Sequence, residues 1–120
     1  MTTQQKIRNI YDLLRKEYGV EFVEEENPTG ADNIDIAVKT ILKADGGRVG
    51  FIFLNLSANT MYLRPKETPT SSAGIPVDAN GGSIVSIFRD DLTLPSKEWK
   101  AIAAADNSAF YLLTFRIQPQ

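Results

Sequence analysis

RVGFIFLNLSANTMYLR, Arg48 to Arg64, reads as two strands around a turn. From Arg48 to Leu56 apolar residues fall on both faces, Val49, Phe51 and Phe53 on one, Ile52, Leu54 and Leu56 on the other, because successive side chains of a strand point opposite ways. Such a strand belongs in the middle of a sheet with both sides covered. Ser57-Ala58-Asn59 supplies the turn, and Met61 to Arg64 returns as a shorter strand that Pro65 brings to an end.

Moving toward the C-terminus, Pro65 to Gly74, PKETPTSSAG, is a polar loop, and loops carry binding surfaces. Ile75 to Val77 is short and extended. Asp78-Ala79-Asn80-Gly81-Gly82 is a strong turn signal, followed by alternation from Ser83 to Arg89, with Ile84, Ser86 and Phe88 opposite Val85, Ile87 and Arg89. Trp99, Ala101 and Ala103 share a face in the next segment, and Asp106-Asn107-Ser108 turns into a last strand, Phe110 to Ile117.

Moving toward the N-terminus, Ala44-Asp45-Gly46-Gly47 is a reverse turn, and Ile34, Ile36 and Val38 alternate with Asp35, Ala37 and Lys39 in a strand to about Lys43. A helix competes there, since Ala37, Ile41 and Leu42 also share a helical face. Glu24 to Asn33, EEENPTGADN, reads as a hinge through Pro28 and Gly30. Its three glutamates form a solvated acidic tract, with a divalent cation as the alternative, although the spacing fits no EF-hand loop. Thr3 to Tyr18 reads as a helix with the apolar stripe Ile7, Ile10, Tyr11, Leu14 and Tyr18, capped by Thr2 or Thr3 at its start and ended by Gly19. A helix this short is marginal alone, so the stripe packs either on the domain's own sheet or on a partner.

The domain plan is therefore a helix over 1–19, a linker over 20–33 and a β domain over 34–120. Six to eight short strands separated by turns favour an antiparallel sandwich or barrel over a βαβ fold. With 120 residues, 42% of them hydrophobic and 23% charged, one core is expected. No apolar run reaches the ~20 residues of a membrane-spanning helix. The polar start, MTTQQKIRNIYDLLRKEYG, shows no secretory leader and predicts synthesis in the cytoplasm.

Chemistry has few places to reside. The chain has no cysteine and no histidine, so thiolate nucleophiles, disulfides, Ser-His-Asp and Cys-His arrangements and the commonest metal ligands are excluded. A net charge of −2 with scattered lysines and arginines offers no footprint for nucleic acid. Phosphate-cradling glycine motifs and the G-x-S-x-G elbow are absent from the sequence. Asp90 and Asp91 are the best carboxylate pair, but adjacent strand residues diverge, which suits a solvated turn better than a catalytic pair. Trp99 with Tyr62 is a possible sugar-stacking platform, set against Trp99 as a core anchor.

From Arg48 onward the order of features resembles a family of small bacteriophage virion proteins, found among decoration, head-associated and tail-associated components. The residues that carry the resemblance are RVGFIFLNLSANTMYLRP, then GIPVDANGGSI, then FRDDLTLPSKEWKAIAAADNSAFYLLTF, and the match as a whole covers Ile41 to Ile117. It implies a non-enzymatic structural protein, with no cofactor or catalytic residue carried over. The N-terminal helix and the ending Arg116-Ile117-Gln118-Pro119-Gln120 depart from the pattern.

The expected fold is mainly β, an antiparallel β-sandwich of jelly-roll character with one N-terminal helix. The expected function is capsid decoration or cementing in the virion, as a homo-oligomer such as a trimer at a local threefold. A head-tail connector or tail component is the first alternative and a carbohydrate- or receptor-binding module the second. Expected partners are the major capsid protein or tail proteins, with neither nucleic acid nor membrane. Candidate contact residues are Ile7, Ile10, Tyr11, Leu14 and Tyr18 on the helix and Pro65, Lys66, Glu67, Thr68 and Pro69 on the loop.

Overall fold

A computed structural model describes residues 9–118 of the chain, and for Tyr11 the backbone alone. Helix α1 (Ile10–Tyr18) leads into strands β1 (Phe22–Glu26), β2 (Lys39–Leu42), β3 (Arg48–Asn55), β4 (Met61–Pro65), β5 (Ile75–Val77) and β6 (Ser83–Ile87). A single helical turn, α2 (Phe88–Asp91), and a 3₁₀ turn (Leu94–Ser96) precede β7 (Trp99–Ala103) and β8 (Phe110–Ile117).

The strands form two four-stranded sheets, β1-β8-β3-β6 and β2-β7-β4-β5, in which every pairing is antiparallel. The pairing is nested. β4 pairs with β5, β3 with β6, β2 with β7 and β1 with β8, and the β3–β8 and β4–β7 ladders complete the sheets.

One core joins the sheets. Phe51, Phe53 and Leu112 from the first sheet meet Ile41, Leu42, Met61, Leu63, Val77 and Trp99 from the second. The Phe51 and Trp99 rings meet edge-on at 5.1 Å, and the Trp99 Nε1–H donates to the Leu94 carbonyl at 3.0 Å. Indole burial with its N–H satisfied is what an internal Trp requires. Only 2% of Trp99 is exposed, so the sugar-stacking platform is overturned and Trp99 is a core anchor.

Two buried polar residues tie the sheets at opposite ends of β3. Arg48 donates through Nε to the Pro95 carbonyl at 2.7 Å and through one terminal nitrogen to the Lys43 and Lys97 carbonyls at 2.8 and 2.7 Å. At the other end the Asn55 amide donates to the carbonyls of Asn59 and Val77 while its oxygen accepts from the Ser57 N–H and hydroxyl. The Asn55 network makes the turn after β3 and fastens it to β5.

Several expectations change. The 20–33 linker contains β1, because β8 is eight residues long and its outer edge takes a partner there, whose acidic side chains an edge strand tolerates. The strand expected over Ile34–Lys43 contracts to β2. Ile34 makes one bridge to Ser108, the Asp106 carboxylate accepts the Ile36 N–H and the Asp35 carboxylate accepts the Asn107 N–H, so side chains replace a ladder. The ladder between β3 and β8 shifts register between Arg48 and Gly50, so Val49 does not share the inward face of Phe51 and Phe53. The outer face of β3 is half-exposed rather than covered. The strand from Ser83 stops at Ile87, where α2 begins.

The helix is also shorter than Thr3–Tyr18. Asn9 is extended at φ −157° and caps α1, its side-chain oxygen accepting the Asp12 N–H at 3.0 Å. Ile7 and the expected caps Thr2 and Thr3 lie outside the described residues. Gly19 ends the helix as expected, at φ +71°, its N–H on the Arg15 carbonyl.

Candidate functional site

The pleat sets the outer face of the first sheet. Along β3, Phe51, Phe53 and Asn55 point inward, which turns Gly50, Ile52 and Leu54 outward, and the register puts Leu113 and Phe115 of β8 and Val85 and Ile87 of β6 beside them. That face is apolar over most of its width.

Helix α1 lies over one end of it. Ile10, Leu14 and Tyr18 form one wall of a cleft of about 420 Å³, and Val49, Gly50, Ile87 and Phe115 form its floor. Among the described residues the charged groups at its border are Glu24 and Arg89. Tyr18 stands at the far end, edge-on to Phe22 at 5.7 Å and to Phe88 at 5.9 Å, with the Arg89 guanidinium 5.8 Å from its ring centre. Arg15 pairs with Glu21 and fixes the turn between α1 and β1. Behind the three rings a second hollow of about 340 Å³ opens toward Val20, Leu92 and Thr93.

Leu92 is the unusual residue of this region. It is 78% exposed and sits at φ +57°, ψ −117° with Thr93 at φ −89°, ψ −3°, the dihedrals of a tight turn whose first central position ordinarily takes glycine. A branched side chain in that region is strained, and strain of this kind gathers at functional sites. The chain thus holds a large apolar side chain in solvent, on backbone that a glycine would fit better.

The expected contact residues separate. Ile10, Leu14 and Tyr18 line the cleft, with Ile10 still 57% exposed, so the stripe is only partly covered by the chain's own sheet. Ile7 and the Tyr11 side chain lie outside the described residues. The loop residues belong to the other sheet, between β4 and β5. Lys66, Glu67 and Thr68 are exposed, and Glu67 pairs with Arg64 at 2.7 Å. Pro65 is half-buried at the end of β4. Pro69 is fully buried and is withdrawn as a contact residue, because the Thr70–Ala73 bridge folds the loop back on itself.

Sequence reasoning missed Phe22, Phe88, Phe115 and Leu92. Phe22 falls in the expected linker and Phe88 in the expected strand, whereas they start β1 and α2.

The candidate carboxylates are held in separate places. Asp91 accepts the Ile87 N–H at 3.2 Å, closing α2 onto the end of β6. Glu24 and Glu26 share the outer face of β1 and Glu25 takes the other, so the acidic tract is split by the pleat. Near Arg48, burial pushes the Asp45 carboxyl up, but the Gly47 N–H and the Arg116 and Arg48 charges outweigh it and leave the group below its usual 3.8. Burial also draws Arg48 below its ordinary value, opposed by Asp45. Among the described residues no three metal-ligating side chains converge, and no helix is long and apolar enough to cross a membrane.

No family model, no curated protein and no solved structure matches the chain.

Proposed function

We propose that the protein is a non-enzymatic structural component of a bacteriophage virion, a decoration or cement protein, made in the host cytoplasm and carried on the particle. It acts by docking the apolar cleft and Leu92 onto a virion protein. The observation that carries this reading is the exposed, strained Leu92 beside an apolar cleft whose charged border groups, among the described residues, are Glu24 and Arg89. Apolar surface of this kind marks contact sites, whereas catalysis needs convergent polar groups.

Two further points support it. Nested pairing of eight strands in two antiparallel sheets supports reading the fold as a jelly-roll sandwich, an architecture that viral capsid domains share with lectins and cupins. Fold alone does not set function. The sequence resemblance to virion proteins over Ile41 to Ile117 supplies the biological setting.

The test uses the strain itself. Leu92→Gly relieves the backbone and is expected to raise stability by about 1 kcal/mol, while weakening retention of the chain on phage particles stripped of it. Sedimentation of particles with immunoblotting reads retention, and urea unfolding reads stability. A chain absent from purified particles, or a Leu92→Gly variant that binds them as well as the parent, overturns the proposal.

A further inference from the structure

Each sheet ends in two edge strands, and exposed edges invite pairing with another chain unless they are blocked. Three of the four edges here carry a block. β1 carries Glu24, Glu25 and Glu26. β2 carries Lys39 and a register shift between Thr40 and Leu42. β5 is three residues long with Pro76 at its centre. The fourth edge, β6, reads Ser-Ile-Val-Ser-Ile, with neither charge nor proline.

The hydrogen-bond phase of β6 follows from its neighbour. The Asn55 N–H donates to the Gly82 carbonyl, so odd-numbered β3 residues aim their backbone groups at β6. Because an antiparallel ladder alternates, Ile84 and Ser86 answer Phe53 and Phe51, and the backbone groups of Ser83, Val85 and Ile87 face outward. The Ile87 N–H is taken by Asp91. That leaves the N–H of Ser83 and Val85 and the carbonyls of Ser83, Val85 and Ile87, for which no partner is found among the described residues. Val85, at the midpoint, is 54% exposed.

We infer that β6 is a dimerisation edge, and that its occupant is β6 of a second copy. The free groups are self-complementary about a twofold axis at Val85. Antiparallel pairing there exchanges two Val85-to-Val85 hydrogen bonds and adds two from the Ser83 N–H to the partner's Ile87 carbonyl, with the Asp91-bound N–H left out of the ladder. The product is one eight-stranded sheet with β6 at its centre, and the two Val85 side chains meet on the apolar outer face. A contact of this isologous kind closes at two copies. It does not rest on the virion reading, since it is argued from the backbone edge of β6, although Ile87 also borders the cleft.

Analytical ultracentrifugation of the full chain from micromolar to millimolar concentration is expected to show a monomer–dimer equilibrium. Val85→Lys places like charges at the axis and is expected to weaken the dimer more than about tenfold, with an unchanged circular dichroism spectrum. Val85→Pro, which deletes the central donor, is the second variant, and Glu25→Lys on the β1 edge is the control that leaves the dimer intact. Amide exchange at Val85 should slow as concentration rises. A monomer throughout, a trimer, or a dimer indifferent to both Val85 substitutions overturns the inference. So does β6 pairing only with a strand from another protein.

Discussion

The Arg48 guanidinium gathers three backbone carbonyls from two separate segments, before β3 and around the 3₁₀ turn. Removing it strands those carbonyls in the interior, where each unpaired group costs about 1–3 kcal/mol. Arg48→Ala is expected to destabilise the fold by about 3 kcal/mol, read as a lower urea midpoint at unchanged slope, and Arg48→Lys to recover only part of it, since a point charge cannot replace the fork. The sequence placed Arg48 at the start of a strand, yet the inward turn of its side chain depends on the register shift at Val49, which no local pattern announces. Trp99 was easier, because a lone indole in an alternating apolar segment belongs in a core. Acid sensitivity is settled by single residues too. Asp35, held low chiefly by the Asn107 N–H with help from Lys39, and Asp45, held low against its burial, both lie below 3.8 in the folded chain. Their contribution is therefore complete above the unfolded carboxylate range and is lost as pH falls through the lower folded values. Thermal melts from pH 6 downward should show stability falling below about pH 4, and Asp45→Asn should flatten that fall.

At the scale of elements, local chemistry and tertiary demand divide the credit. The turns at Ala44 to Gly47 and Asp78 to Gly82, and strands β5, β7 and β8, were legible because glycine, asparagine and alternation act within a few residues. At Gly82 the constraint is close approach, since an added Cβ would stand 2.4 Å from the Asp78 carbonyl oxygen. β1 was not legible. Three consecutive glutamates have poor strand propensity, and only the open edge of β8, remote in sequence, makes them a strand. The candidate contact surface is half legible for the same reason: periodicity gives the α1 stripe, but the floor beneath it comes from three other strands. Helix α1 depends on its caps as well as on that floor. Gly19→Ala puts a side chain at φ +71° and is expected to cost about 1 kcal/mol. If α1 opens without the sheets, amide exchange in α1 will quicken while the β3 and β8 amides keep their protection.

For the whole molecule, strand number and antiparallel character could be read from the chain, while the partner of each strand could not. Pairing is decided by which faces meet across the core, and β1 finds β8 across nearly all of the described chain. The nested order has a kinetic meaning. Joining β4 to β5 requires closing only the loop between them, and each ladder then shortens the loop left for the next, so the sheets are expected to close from the inside out. Pulsed hydrogen exchange during refolding should protect Met61–Pro65 and Ile75–Val77 first and Phe22–Glu26 last, and glycines inserted in the 66–74 loop should slow folding more than the same insertion in 27–33. During synthesis the first three strands all wait on partners made later. β1, with the helix it carries, stays unpaired until β8 has cleared the ribosome.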